Sequence, residues 1–443
     1  LNAAALLRAR LARASGLQVN QDTLESRFAV QMGACLGPDF PRAIGLAVSG
    51  GGDSMAMLAL AHGWARVMGI GLRVVTVDHG LRPEAGAEAA MVAAECATLG
   101  HAHDIMRWHW DGQGNLQDAA RQARRDLIGA WRRDLAHVLF AHTQDDQAET
   151  VLLQLLRGSG VDGLAGMAAA RRVPDARGGW WLLRPLLGEA RADLRHYATT
   201  LRVPFVDDPS NSDPRFDRVR ARHAMAALGL APEGLARTAA RMARAARACR
   251  ARAADIARRI ATEEQVNGAP TGDLLIDRDG LAAVERDSQM RLLAGGLQWV
   301  ASAPYRPRAQ ALEALLDRVL AGGGGTLHGV DVTPGAAAIR LSREGAALID
   351  ARKPACAGLV WDGRWHLGAL AEPGLILRPL GPDGWAQRPE KTQVSAPARA
   401  AYAWPALFRG DRLVTCGPLG LGGADVIGFR PGGGHFAQFL ESH

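Results

Sequence analysis

The sequence predicts an α/β protein: a mostly parallel sheet covered by helices on both faces, then a long basic helix and smaller α+β domains. Three observations carry that reading. Apolar runs of strand length alternate with stretches of helical period between Arg42 and Asp207; one uninterrupted helical pattern starts at Pro232; and after Gly322 the chain breaks into short runs punctuated by Gly, Pro and aromatics. With 443 residues, 48% hydrophobic and 22% charged, and a mean hydropathy of -0.06, the chain has length for roughly two to four domains with cores of their own.

Taken in order, the β-rich runs are residues 44–48, 72–77 and 138–141, and helical periodicity covers 54–68, 84–99, 116–135 and 146–156. Strand and helix in alternation favour parallel pairing. Ligands of such sheets bind beyond the carboxyl ends of the strands, which directs attention to the segment from Ser49 to Ser54, to Asp78 and His79, and to the segment from His142 to Glu149. In the long helix, expected over 232–262, Leu235, Met242, Cys249 and Ile256 recur every seventh position. At roughly 100° per residue, Arg237, Arg241, Arg244, Arg252, Arg258 and Arg259 fall on the other side. That stripe reads either as a solvated helix face or as a surface for a phosphate backbone. Asn267, Gly268 and Pro270 are read as the helix stop, with short strands at 337–341 and 347–349 and a small β-rich domain from about residue 375. The expected domains are 1–228 with its core at 42–222, a basic linker helix at 229–265, and C-terminal domains at 266–350 and 351–443; residues 1–16 read as an amphipathic first helix.

Lysine and arginine total 52 against 45 acids, giving a net charge of +7 and a pI near 9.7, yet only Lys353 and Lys391 are lysines. A Walker-type loop needs a lysine on the phosphates; none precedes Lys353, so that mechanism is excluded. The basic balance suits an acidic partner such as nucleic acid, and equally an arginine-rich composition. Cys35, Cys96, Cys249, Cys356 and Cys416 form no CxxC pair, which argues against a zinc ribbon, an iron–sulfur site and a disulfide framework. There is no apolar run of about 18 residues and no secretory leader pattern, so a cytoplasmic protein with no membrane contact is expected.

The first β-rich run leads through Ser49-Gly50-Gly51-Gly52-Asp53-Ser54 into a helix. Three glycines let the chain turn sharply so that backbone N–H groups and the helix N-terminus face one anion, and the serines add hydroxyl donors. A carboxylate beside phosphates, here Asp53, makes sense mainly as a ligand of Mg²⁺. The string resembles the SGGxDS loop of the PP-loop ATP pyrophosphatases, which implies a Rossmann-like domain that binds ATP and releases pyrophosphate. Further strings follow in order: Val77-Asp78-His79-Gly80-Leu81-Arg82; His142-Thr143-Gln144-Asp145-Asp146-Gln147-Ala148-Glu149-Thr150; Arg157-Gly158-Ser159-Gly160; Leu183-Arg184-Pro185-Leu186-Leu187; and Asp207-Asp208-Pro209-Ser210-Asn211-Ser212-Asp213-Pro214-Arg215-Phe216. Together they resemble the bacterial tRNA(Ile)-lysidine synthetase family, strongly over about 42–222 and loosely beyond.

That resemblance implies an ATP-dependent ligase that joins free L-lysine to C2 of the wobble cytidine of the CAU-anticodon isoleucine tRNA through an adenylated cytidine, with the C-terminal half selecting the tRNA. It implies nucleotide binding by Ser49, Gly50, Gly51, Gly52, Asp53, Ser54 and His142, and lysine recognition by Asp146 and Glu149, which stand three apart on one helix face. Displacing AMP requires a neutral amine, so a carboxylate that takes its proton serves as general base; Asp78 and Asp146 are both candidates. Arg215, with Arg218, Arg220 and Arg222 after it, implies a grip on the activated nucleotide, a task suited to a planar bidentate donor. Val219 and Ala221 depart from the family's usual Asn and Ile, and Arg125 from its usual Tyr. Arg237, Arg241 and Arg244 are candidate tRNA contacts, as are Arg378, Arg409 and Arg412. Two other readings are kept: a PP-loop tRNA thiolation enzyme, against which the lack of paired cysteines speaks, and a non-catalytic basic RNA-binding protein, against which the retained acids speak. A homodimer is left open as the assembly.

Overall fold

The computed structural model describes residues 23–80, 84–110, 112, 116–173, 179–207, 213–348, 350–369, 374–390, 392–422 and 426–442. They divide into one compact unit ending at Arg244 and a second beginning at Ala245. The helix expected over 1–16 lies outside the described residues, as do Leu81, Arg82 and the stretch 208–212 of the DPSNS string.

In the first unit, helix α1 (Leu24–Leu36) precedes β1 (Ala43–Ala47), α2 (Gly52–Met68), β2 (Gly71–Asp78), α3 (Ala85–Leu99), β3 (Ala102–Arg107), α4 (Leu116–Trp131), β4 (His137–Phe140) and α5 (Gln144–Leu156). After them come α6 (Val161–Leu164), β5 (Ala170–Val173), β6 (Trp180–Leu183), α7 (Arg191–Thr200) and α8 (Asp217–Ala227). The sheet order is β3-β2-β1-β4-β6-β5, with β5 antiparallel to β6 and the remaining pairs parallel. The chain therefore builds outward from β1 in one direction and then crosses to β4 on its other side. The crevice of such a sheet lies where the order reverses, beyond the ends of β1 and β4, and there Ala47 pairs in register with Phe140.

Strand alternation sends side chains to both faces. Ile44, Leu46, Val74 and Leu139 join Phe28, Met55, Leu58 and Leu194 in one core. Ala47, Val75, Val138 and Phe140 join Ile128 and Trp131 of α4 in the other. Each large aliphatic buried in this way contributes about 1.5–3 kcal/mol. The sequence patterns anticipate these central strands and helices; they miss β3, whose His103 and Asp104 interrupt the apolar run of a largely exposed edge strand.

In the second unit, Ala253, Ile256 and Ala257 of α9 (Pro232–Ile260), the helix in which the unit boundary falls, pack into the core. This helix is shorter than expected. Ala261 already begins β7 (Ala261–Val266), and Asn267 and Gly268, with φ of 51° and 75°, form the turn to β8 (Ala269–Asp277) instead of stopping a helix. Two consecutive positive φ values are what a tight hairpin demands, and Asn-Gly supplies them at little cost. Helices α10 (Arg278–Ala282), α11 (Arg286–Ala301) and α12 (Ala309–Leu320) follow, then β9 (Gly325–Leu327), β10 (Val330–Pro334) and β11 (Ala338–Arg343), making a sheet in the order β7-β8-β11-β10-β9. The strand expected at 347–349 is instead a single 3-10 turn, Gly345–Leu348, that tucks Leu348 into a core; Ile349 is outside the described residues.

Two small antiparallel sheets complete the unit, a four-stranded one that includes β12 (Ile376–Pro379) and β13 (Pro405–Arg409), and a three-stranded one. The region from 351 onward is not a separate body. Helix α13 (Phe436–Ser442) returns to the five-stranded sheet, where Phe436, Phe439 and Leu440 pack with Leu292, Leu297 and Leu341. Among the described residues no helix is long and apolar enough to cross a membrane.

Candidate active site

Helix α2 starts directly after the glycine loop. Gly50 sits at φ +89°, a conformation that a side chain strains, and Val206 N–H donates to its carbonyl oxygen at 3.0 Å. Ser54 Oγ donates to the Gly51 carbonyl oxygen at 2.9 Å, accepts from Ser49 N–H at 3.2 Å and lies 3.2 Å from Ser49 Oγ, so the two serines tie the loop closed. No side chain caps the N-terminus of α2. Its first N–H groups and dipole therefore face a cleft of about 330 Å³.

The opposite wall is α5 and what packs on it. Thr143 and Asp146 form a capping box: Asp146 Oδ2 accepts from Thr143 N–H at 2.8 Å. This leaves Oδ1 to Arg191 Nη2 at 3.0 Å and Arg218 Nη1 at 3.3 Å. Glu149, fully buried, accepts through Oε1 from Arg222 at 2.8 Å and lies 3.6 Å from Arg191 Nη1. Arg191 also donates through Nε to Asp53 Oδ2 at 3.0 Å, while its backbone N–H donates to Asp145 Oδ2 at 2.8 Å. Two oxygens of this cluster, Asp53 Oδ1 and Glu149 Oε2, are buried without a hydrogen-bond partner.

These contacts set the charge states. Burial pushes the Asp53 carboxyl up, with Arg191 pulling it back. Burial also raises Asp146, but the guanidinium groups of Arg191 and Arg218 outweigh it and hold the group below the usual carboxylate range. Arg191 loses to burial and gains more from Asp146, Asp53 and Glu149, so it stays firmly charged. His142 is pushed down to about 3 by burial and then by Arg184, whose Nε donates to His142 Nδ1 at 3.3 Å. The neutral ring stacks parallel on Phe140, at 6.1 Å between centroids, and the Arg124 guanidinium lies over the same Phe140 ring, 5.3 Å from its centroid.

The structure brings together Ser49, Gly51, Gly52, Asp53, Ser54, His142, Asp146, Arg218 and Arg222 around one cleft, with Gly50 shaping the loop and Glu149 directly behind Arg222. It does not bring in the others. Asp78 Oδ1 accepts from Gly80 N–H at 2.9 Å in the turn after β2 and is not among the lining residues. Arg215 points outward and forks onto Asp213, its Nε 2.8 Å from Oδ2. Arg220 pairs with exposed Asp217. Arg218 and Arg222 are four apart on α8 and share a face, whereas Arg220 stands between them on the other side. Of the departures from the family pattern, Val219 and Ala221 are buried, Ala221 against Ala148 and Leu152, while Arg125 donates to Gln122 at 2.6 Å. Arg191, the hub, was not anticipated, nor were Arg195 and Arg124. On α9, Arg237 pairs with Glu233 at 3.2 Å, while Arg241 and Arg244 are exposed.

Among the described residues no three of His, Cys, Asp and Glu are grouped to hold a metal. The orphaned Asp53 Oδ1 nevertheless suits Mg²⁺, an ion that takes one or two carboxylates and completes its shell with phosphates and water.

A sequence profile described as a PP-loop domain matches residues 24–228. The chain is 39% identical over 412 residues to a protein of Ruegeria pomeroyi named tRNA(Ile)-lysidine synthase, spanning 91% of this chain and 95% of that one. It is 44% identical over 285 residues to a protein of the same name from a Methylobacterium species, spanning 62% and 79%. A solved structure of the U34-tRNA thiolase NcsA from Methanococcus maripaludis overlaps 50% of this chain and 78% of its own, at 16% identity and a TM-score of 0.42.

Proposed function

The chain belongs to the tRNA(Ile)-lysidine synthase family, and from that premise we propose how its cleft works. It is an enzyme whose PP-loop domain binds ATP and which modifies tRNA. The finer reading is a ligase that forms a carbon–nitrogen bond between free L-lysine and C2 of cytidine 34 in the CAU-anticodon isoleucine tRNA, changing its codon from AUG to AUA.

In this reading the cytidine C2 oxygen attacks the α-phosphorus of ATP and pyrophosphate leaves. The loop from Ser49 to Ser54 receives the pyrophosphate on backbone N–H groups, and Mg²⁺, when held by Asp53, would neutralise phosphate charge. Arg218 and Arg222 offer guanidinium groups to the charge that develops there. His142, neutral and fixed by Arg184 through Nδ1, presents an Nε2–H donor. The lysine amine, made neutral by giving a proton to solvent or to Asp78, then attacks C2; the bond from C2 to the adenylate oxygen breaks and AMP departs. Asp146 is a poor general base because its ion pairs hold its pKa down; its role is to bind the ammonium group with Glu149. Asp78 acts as base only by moving into the cleft from its turn.

One observation supports this reading above the rest: a lysine-free anion loop and the Asp146 carboxylate line a single cleft, with buried Glu149 directly behind Arg222. Purified protein with ATP, Mg²⁺, labelled lysine and the CAU-anticodon isoleucine tRNA should attach lysine to that tRNA, and pyrophosphate should appear with tRNA before lysine is added. Absence of label alongside ATP-dependent sulfur transfer would sink the reading. For the α9 stripe, reversing Arg237, Arg241 and Arg244 to Glu should weaken tRNA binding and flatten its salt dependence.

A further inference from the structure

Arg191 spreads one guanidinium over three acids, Nε on Asp53, Nη2 on Asp146 and Nη1 facing Glu149. The Asp146 and Glu149 oxygens that it touches are shared with Arg218 and Arg222. Three carboxylates thus meet three guanidinium groups and balance them, and the further carboxylate of Asp145 is matched by the neighbouring guanidinium groups of Arg124 and Arg184, so the site carries no net negative charge. An incoming ammonium group finds no net negative charge to bind. A nucleotide alters that balance: its phosphates add negative charge at the mouth of α2, where Asp53 is the second helical residue and Arg191 already reaches it. Any guanidinium drawn toward phosphate leaves carboxylate charge behind it. The base of Arg191 is pinned, since its backbone N–H is held by Asp145, whereas its side chain spans the gap between the two walls. Glu149 Oε2, buried with no hydrogen-bond partner, shows that the acid wall has accepting capacity that its own arginines do not use.

We propose that Arg191 couples the two small substrates: it neutralises the lysine-binding acids until nucleotide phosphates compete for it, so ATP binding is what makes Asp146 and Glu149 attractive to the lysine ammonium. The inference rests on the reading of those acids as the lysine site. It makes Arg191 a positioning residue and requires positive coupling between ATP and lysine.

Calorimetric titration of the full chain with L-lysine, with and without Mg²⁺ and a non-hydrolysable α,β-methylene ATP analogue, tests it. The analogue should tighten lysine binding about tenfold or more, within the usual range of coupling between two sites. By linkage, lysine must tighten the analogue by the same factor, a check that needs no variant. Arg191→Gln should bind lysine without nucleotide at least as well as the wild type does and show coupling under about threefold; Arg191→Lys, one point charge for a fork of three, should fall between. Equal lysine affinity with and without analogue in the wild type, or undiminished coupling in Arg191→Gln, overturns the proposal. If the wild type attaches lysine to tRNA yet shows no coupling, this inference alone fails; if no lysine is attached, the assignment of the site fails with it.

Discussion

Two arginine–carboxylate clusters, one in each unit, use the same chemistry to different ends. In the second unit Arg340 sits between Glu264 and Asp273, taking both oxygens of Glu264, at 2.5 and 2.6 Å, and Asp273 Oδ2 at 2.8 Å. Thr271 adds a hydroxyl to Glu264, and both acids are less than a tenth exposed. In the first unit Arg191 spans three acids along an open cleft, and Asp53 and Glu149 each keep a buried oxygen with no partner. A buried ion pair by itself says little about function, because desolvation consumes most of its attraction. What separates the two clusters is spare accepting capacity next to an opening, and that is where a cationic ligand gains most.

The contrast can be broken in four ways. The largest effect is expected where the cluster is closed: Arg340→Ala strands two buried acids and should lower the stability of the full chain by about 3–5 kcal/mol in urea unfolding, with lysine affinity unchanged in the fraction still folded. Next, Glu149→Gln should cut lysine transfer about 100- to 1000-fold, the cost of one lost charged contact at a reacting centre, while tRNA-dependent pyrophosphate release persists. Loss of both activities together would make Glu149 a structural residue like Glu264.

A third test uses proton linkage. Burial pushes Asp273 up to about 7, despite Arg340, from an ordinary 3.8. The folded state then holds a proton that the unfolded chain releases, so this contribution is fully present below about pH 4 and is lost as pH rises through 7. Asp273→Asn, which cannot ionise, should therefore gain on the wild type by roughly 4 kcal/mol between pH 4 and pH 8; parallel stability curves would refute the assignment. The smallest effect is expected at Arg215, exposed and paired with its neighbour Asp213, where Ala should change lysine affinity by less than about twofold.

Much of the first cluster was legible in the sequence because its parts lie in short strings at strand ends. The turn from Ser49 to Ser54 and the helix start from His142 to Glu149 each carry their geometry locally. Arg191 carried no such signal: its partners Asp53 and Asp146 are 138 and 45 residues away, and only the sheet order brings them together. The four arginines after Asp213 looked alike until α8 gave them a period, which sends Arg218 and Arg222 inward and Arg220 outward. In the second unit the misreading at Asn267 had a local remedy, since Asn-Gly between two short runs is a hairpin signal. The return of α13 had none, because the partners of Phe436 and Leu440 lie more than ninety residues back, at Leu341 and Leu297.

That return has a consequence for synthesis on the ribosome. The first unit has all its residues by Arg244, but the core of the five-stranded sheet stays open until Phe436, Phe439 and Leu440 emerge. At about 5–20 residues per second, the nucleotide-binding unit is finished roughly 10–40 s before that apolar groove can be sealed. A nascent chain therefore carries a complete nucleotide-binding unit and, until α13 is made, an exposed hydrophobic seam in the second unit.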